Sequence, residues 1–303
     1  MMPLPKFPLR PFSTMNTSCL LSLAFVALTA GGCRMSAPKA ATSETAATPA
    51  PAVDAPQTAA PEAADTLSAS GSAYLLCRRT DGGDEGQLLR RTAYVTAYDA
   101  RRLTPMWVGW TLTAAHTDGP HERKGHKFYE DTDVPEPRAL YSDIRESECG
   151  YQRGHMCPAA DNKWSRQAQD ESFLMTNICP QNGDLNGRDW KALEDACRTW
   201  ATRWGAVHIV CGPIYRRKRP RRVGAHRIAV PDAFFKVVLT GSGSDARCIG
   251  FVYDNVAGHK PMASYACSVD DVEERTGLDF FSALPDDVEA AIEARCDVDQ
   301  WPV

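Results

Sequence analysis

Beyond residue 30 this chain has no apolar run long enough to cross a bilayer, which argues against a membrane-spanning helix there. It has no CxxC pair and no cysteine–histidine spacing of a zinc site, so a structural zinc centre is not expected. No internal repeat is evident, which excludes a solenoid or propeller. Charge of one sign is also scarce. The formal net charge of −4 excludes a protein that coats nucleic acid with an all-basic surface. Residues 36–70 lack any aromatic residue and are rich in Ala, Pro, Thr and Ser. They cannot bury enough apolar surface to offset their ordering entropy.

Three regions follow. Residues 1–33 read as an export signal: Lys6 and Arg10 precede a short apolar run from Cys19 to Ala30. The run ends in Ala30-Gly31-Gly32-Cys33, similar to a bacterial lipoprotein cleavage site with Cys33 as the lipidated residue. Ordinary signal-peptidase cleavage nearby is the alternative. Either route takes the protein out of the cytosol, to a bacterial cell envelope or the medium. Lipidation would add a membrane anchor at Cys33. Residues 34–70 read as a flexible tether. Residues 71–303 hold all seven tryptophans and are the expected folded domain.

Nine of the eleven cysteines lie in that domain. In an oxidising compartment some should pair. Cys157 and Cys179 are candidates for a disulfide, or else for small buried hydrophobes.

Strand-type alternation over Ala93–Asp99 and Met106–Leu112 predicts a hairpin. Residues 119–150 read as a long loop of the kind that often carries function. Phe173–Ile178 suggests a short strand, and 207–211, 234–240 and 248–253 suggest three more. Leu193, Ala196, Cys197 and Trp200 have helical spacing, with a start near Asn186, where an N-cap is the ordinary reading. Ser268, Asp271 and Gly277 bracket another helix, and Pro285 sits at position N1 of the last. Without a βαβ rhythm, the expected class is α+β with a largely antiparallel central sheet and flanking helices.

Within this frame, Gln152-Arg153-Gly154-His155 precedes Thr176-Asn177, Leu185-Asn186, Trp190 and Glu194. Phosphodiester hydrolysis needs a base for water, a cation for the phosphate and fixed geometry. Histidine suits the first task near neutral pH. A carboxamide oxygen suits a hard cation that keeps most of its waters. Alternation along a strand puts Arg153 and His155 on one side. Gly154 between them allows a close neighbour. Taken alone, His155 is more often structural, and Glu194 an ordinary surface carboxylate.

Together with Trp107-Val108, Gly212-Pro213, Val230 to Lys236 and Gly277 to Phe281, these residues resemble the DNA/RNA non-specific endonucleases of the ββα-metal (His-metal finger) type. The resemblance implies a ββα-metal motif, with His155 as general base and Asn186 as the direct ligand of Mg2+, or of Mn2+ in its place. It implies that Arg153 stabilises phosphate charge, that Asn177 holds His155 or the site geometry and that Glu194 organises metal-bound water. Arg198 would contact phosphate, and Arg123 or Lys124 would match an upstream basic position. The implied substrates are DNA and RNA, cut to 5′-phosphate and 3′-hydroxyl ends. Gln152 departs from the family's usual Asp, which predicts weaker metal binding or lower activity. It also keeps open a catalytically weakened binder of nucleic acid. The basic run from Arg216 and Arg217 to Arg222 is either a phosphate track or a solvated loop. As a track it favours a polymer over a small nucleotide substrate.

Overall fold

The structure, a computed structural model, describes residues 73–302. The expected export signal, Cys33 anchor and tether lie outside the described residues. No helix among the described residues is long and apolar enough to cross a membrane.

The strands used below are β1 (Gln87–Arg90), β2 (Val95–Asp99), β3 (Thr104–Thr113), β4 (Gln152–His155), β5 (Ile178–Gln181), β6 (Ala206–Ile214), β7 (Ala233–Thr240), β8 (Arg247–Asp254) and β9 (Ala266–Cys267). Seven form one antiparallel sheet in the order β9-β8-β7-β6-β3-β2-β1, while β4 and β5 pair as a separate ribbon. The α+β expectation therefore holds, and so does the hairpin of β2 and β3.

Strand β7 is buried along its whole length because both faces of the sheet are covered. Phe234 and Val238 join one apolar cluster, while Phe235, Val237 and Leu239 join another. The first cluster is closed by helix α4 (Asp189–Trp204), whose Leu193, Ala196, Cys197 and Trp200 form its buried stripe. The second is closed by α5 (Val269–Thr276) with Phe280 and Phe281. The predicted α5 boundaries hold: Ser268 and Asp271 form a capping box, and Gly277 ends the helix at φ 65°.

Four expectations need correction. The helix expected from Asn186 is two helices, α3 (Gly183–Gly187) and α4, broken at Arg188 with φ −122° and ψ −86°. Asn182, not Asn186, caps α3: its Oδ1 accepts from the N–H groups of Asp184 and Leu185 at 3.0 and 3.3 Å. The strand expected over 173–178 is a 3-10 turn at Met175–Asn177 followed by β5, so Asn177 sits at the entry to the strand. Pro285 is the N-cap of α6 (Asp286–Glu293) rather than its first residue. Finally, the expected disulfides do not form, and all nine described cysteines are free thiols. Cys157, Cys179, Cys197 and Cys211 are all buried in the cluster beneath α4, acting as small apolar side chains.

Candidate active site

The β4–β5 ribbon carries the site. Its register sets Gly154 opposite Cys179 and His155 opposite Ile178. A Cβ at Gly154 would fall 2.0 Å from Oε1 and 2.6 Å from Cβ of Gln181, so glycine is required by the Gln181 side chain lying across it. That close neighbour comes from the partner strand. Trp190 of α4 donates its indole N–H to the His155 carbonyl at 3.3 Å, docking the long helix on the end of β4.

His155 is buried, and its Nε2 has no hydrogen-bond partner. Phe128 and Phe173 pack against the ring and against each other, with all three centroids 5.2 Å apart. Burial, reinforced by the nearby Arg123 guanidinium, pulls the imidazole pKa down to about 3. The ring is therefore neutral at ordinary pH, with a lone pair or proton site open at Nε2. Arg153, on the same side of β4, donates to the carbonyls of Tyr141 and Ile144 at 3.1 and 2.7 Å and lies 5.0 Å over Phe128. Among the described residues no carboxylate pairs with Arg153, so its charge is left for an anion.

Asn177 does not touch His155. It is buried, accepts the Cys157 N–H at 2.9 Å and donates to the carbonyls of Cys157 and Ser172 at 2.9 and 2.8 Å. It clamps the chain two residues past the histidine. Asn186 stands in the last turn of α3, and its amide N–H donates to Oε1 of Gln152 at 2.9 Å. The Gln152 amide N–H group in turn donates to both oxygens of Glu146 at 3.0 and 3.1 Å. This chain of contacts fixes the Asn186 amide so that its nitrogen is used and its Oδ1 is left as an oxygen donor.

Glu194 is half-buried on α4 and faces a charged cluster. Burial pushes its pKa up to about 7, against the lowering pull of Lys236 and Arg198. Lys236 is fully buried, with Nζ 4.5 Å from the Trp190 ring centroid and 5.3 Å from that of Trp110. Arg198 bonds to Asp161 at 2.7 Å and to Asp195. It belongs to this cluster and is not a free cation.

The upstream basic loop comes to the site from the other side. Arg123 lies 5.9 Å from the Phe173 ring that flanks His155. Lys124 lines an adjoining surface depression with His126, Lys127 and Arg166. The 216–222 run is partly tied down: Arg216 pairs with Asp254 at 2.7 Å and Arg217 with Asp232 at 3.3 Å. Arg216 lines a second depression with Leu185, one residue before Asn186.

Three residues of this arrangement escaped sequence reasoning. Glu146 sits in the short helix α1 (Glu146–Cys149), within what reads as loop. Lys236 lies within the strand expected over 234–240, with nothing to mark its burial. Asn255, just past β8, takes the Asn182 N–H at 2.7 Å and donates to the carbonyls of Pro180 and Pro231, latching the ribbon to the main sheet. Only the Val230 to Lys236 stretch hinted at any of them.

Known proteins share this organisation. The chain is 34% identical over 214 residues to "Nuclease 1, mitochondrial" of Schizosaccharomyces pombe, an alignment covering 63% of this chain and 65% of that protein. It thus spans just under two thirds of that relative's length. It is 30% identical over 247 residues to "Nuclease" of Nostoc sp. strain PCC 7120, covering 76% of this chain and 88% of the relative. A crystal structure of an EndoG/EndoGI complex contains a chain that superposes with a TM-score of 0.61 at 27% identity, covering 68% of this chain and 91% of that one. The sequence pattern of one family accounts for residues 72–287, which include the whole ββα site, and on that match the chain belongs to the DNA/RNA non-specific endonuclease family.

Proposed function

We propose that this protein is a divalent-metal-dependent endonuclease that hydrolyses phosphodiester bonds of DNA and RNA, leaving 5′-phosphate and 3′-hydroxyl ends. The observation that carries the reading is the buried His155, neutral and unpaired at Nε2, beside an Arg153 that no carboxylate among the described residues neutralises. A base that must accept a proton and a cation that must meet an anion stand on one face of one strand.

The donor set fits a hard cation. Asn186 offers Oδ1, and the Gln152–Glu146 pair behind it sets its orientation and supplies negative charge. Bound there, Mg2+, or Mn2+ in its place, would neutralise charge on the phosphate and on the leaving oxygen. His155 takes the proton of the attacking water at Nε2. Burial disfavours the resulting imidazolium, and the negative phosphate brought by the substrate offsets that penalty. Arg153 holds a phosphate oxygen. Asn177 positions His155 through the backbone of Cys157. Glu194, which faces Lys236 and Arg198, would order water around a bound metal. Arg123 and Lys124 on one flank, and Arg216 and Arg217 on the other, contact the polymer backbone. Such contacts carry no base information, which suits cleavage of both nucleic acids.

The second reading is a binder with weakened catalysis, and Gln152 is the observation that favours it. Digestion of supercoiled plasmid by the full chain separates the two. Nicking with Mg2+, absent with EDTA and absent in His155→Ala, is the expected result. Binding without cleavage across Mg2+ and Mn2+ would leave the binder.

We also propose that the protein is exported and tethered through lipidated Cys33, a reading that rests on the N-terminal residues alone. Metabolic labelling with a radioactive fatty acid should mark the wild type and not Cys33→Ala.

A further inference from the structure

A second group of oxygen ligands lies away from Asn186, where α5 and α6 meet. One carboxylate oxygen from each of Asp270, Glu273 and Glu293 lies within 4.8 Å of the other two. Asp270 and Glu273 stand one turn apart on α5, and Glu293 ends α6. Proximity of acidic groups alone would signify little. Glu293, however, is only 4% exposed, and its Oε1 is buried with no hydrogen-bond partner. Glu273 uses one oxygen to accept the Phe280 N–H at 2.8 Å and keeps the other.

The surroundings make the problem sharper. Burial and then Glu273, Glu289, Asp270 and Asp279 push the Glu293 pKa up to about 9, and every one of those charges is negative. Burial raises Glu273 to about 7 as well. The buried Cys248 thiol of β8 faces the same group and brings no positive charge. Arg78 acts on Asp279, and Arg275 is turned to the Asp271 carbonyl. Three carboxylates that converge on one point, one of them with a buried and unpaired oxygen, need a positive partner from outside.

We propose that Asp270, Glu273 and Glu293 form a Ca2+-class cation site that clips the C-terminal helix α6 to α5. Ligand chemistry selects the ion: Ca2+ accepts several carboxylate oxygens in an irregular shell, whereas Mg2+ demands a near-ideal octahedron and keeps most of its waters. Waters complete the shell on the exposed Asp270 side. The site is independent of the nuclease reading, because it shares no residue with it.

The test uses the full chain carrying Asn186→Ala, so that the proposed catalytic metal does not contribute. After chelation, Ca2+ should bind with one equivalent by calorimetry at this site and raise the thermal midpoint. Adding Glu293→Gln should abolish both effects, while in EDTA at neutral pH that variant melts higher than its parent because Gln needs no proton uptake on folding. Asp270→Asn, at an exposed position that does not threaten folding, should weaken Ca2+ about tenfold by removing one charged ligand. A calcium response unchanged by Glu293→Gln and Asp270→Asn overturns the proposal. So does a chelated protein that takes up no millimolar Ca2+ and only loses stability as pH rises.

Discussion

At position 152 a neutral amide stands where the family usually carries Asp, yet negative charge is not missing from the site. Glu146 supplies it one contact further out, through the Gln152 N–H group. Glu146 could therefore offset the weaker metal binding expected from Gln152. Glu146→Gln should lower Mn2+ affinity about tenfold by electron paramagnetic resonance, in the range seen when an outer partner of a metal ligand is removed. Gln152→Asp alone would set two carboxylates against each other and should not improve affinity or nicking. Combined with Glu146→Gln it should recover both. Improvement from Gln152→Asp alone would refute compensation by Glu146. His155 makes a second prediction at this scale. Its pKa is near 6.5 in the unfolded chain and about 3 in the fold, so between those values the unfolded state binds the extra proton. The stability associated with a neutral His155 is present above pH 6.5 and lost as pH falls toward 3. Urea midpoints at pH 7 and pH 4 should differ more for the wild type than for His155→Gln.

Among the elements, the β4–β5 ribbon depends on one absent side chain. Gly154→Ala drives a methyl group into Gln181 and should cost about 1–3 kcal/mol, as overpacking does, read by urea denaturation. Gln181→Ala should rescue poorly, because the Gln181 Cβ itself would lie 2.6 Å from the new methyl. Gln181→Gly should rescue better, and equal rescue by both would show that the contact is relieved by backbone movement. The face between α4 and β7 depends instead on a buried charge. Lys236→Met removes the cation that Glu194 and Asp161 face, leaving Arg198 as partner. Breaking a buried charge set from one side costs roughly 3–5 kcal/mol, and the same denaturation measurement should show a loss of that order. A neutral outcome would mean that Lys236 contributes no net electrostatic stabilisation there.

Over the whole molecule, one sheet buries both of its faces and presents the ribbon and α3 at one side, with basic side chains flanking them. Affinity for a polymer should therefore fall steeply with salt, whereas a dinucleotide touching only Arg153 and its neighbours should show a shallow dependence. Equal slopes for the two ligands would argue against the flanking residues as a backbone track.

The sequence by itself determined what is local or periodic. The β2–β3 hairpin, the apolar runs of β7 and β8, the α4 stripe, the residues bracketing α5 and the ordered set from Arg153 to Glu194 were all legible, because backbone geometry imprints its period on neighbouring residues. Only the tertiary structure decided which distant side chains meet. Asn186 and Gln152 are 34 positions apart, and nothing in either names Glu146 as the third partner. The break at Arg188 follows Gly187, a poor helix former, but only the fold shows that Trp190 beyond it docks α4 on β4. The free state of Cys157, Cys179, Cys197 and Cys211 was hidden for the same reason: packing places them among apolar side chains, and packing in three dimensions leaves no regular mark on the order of residues.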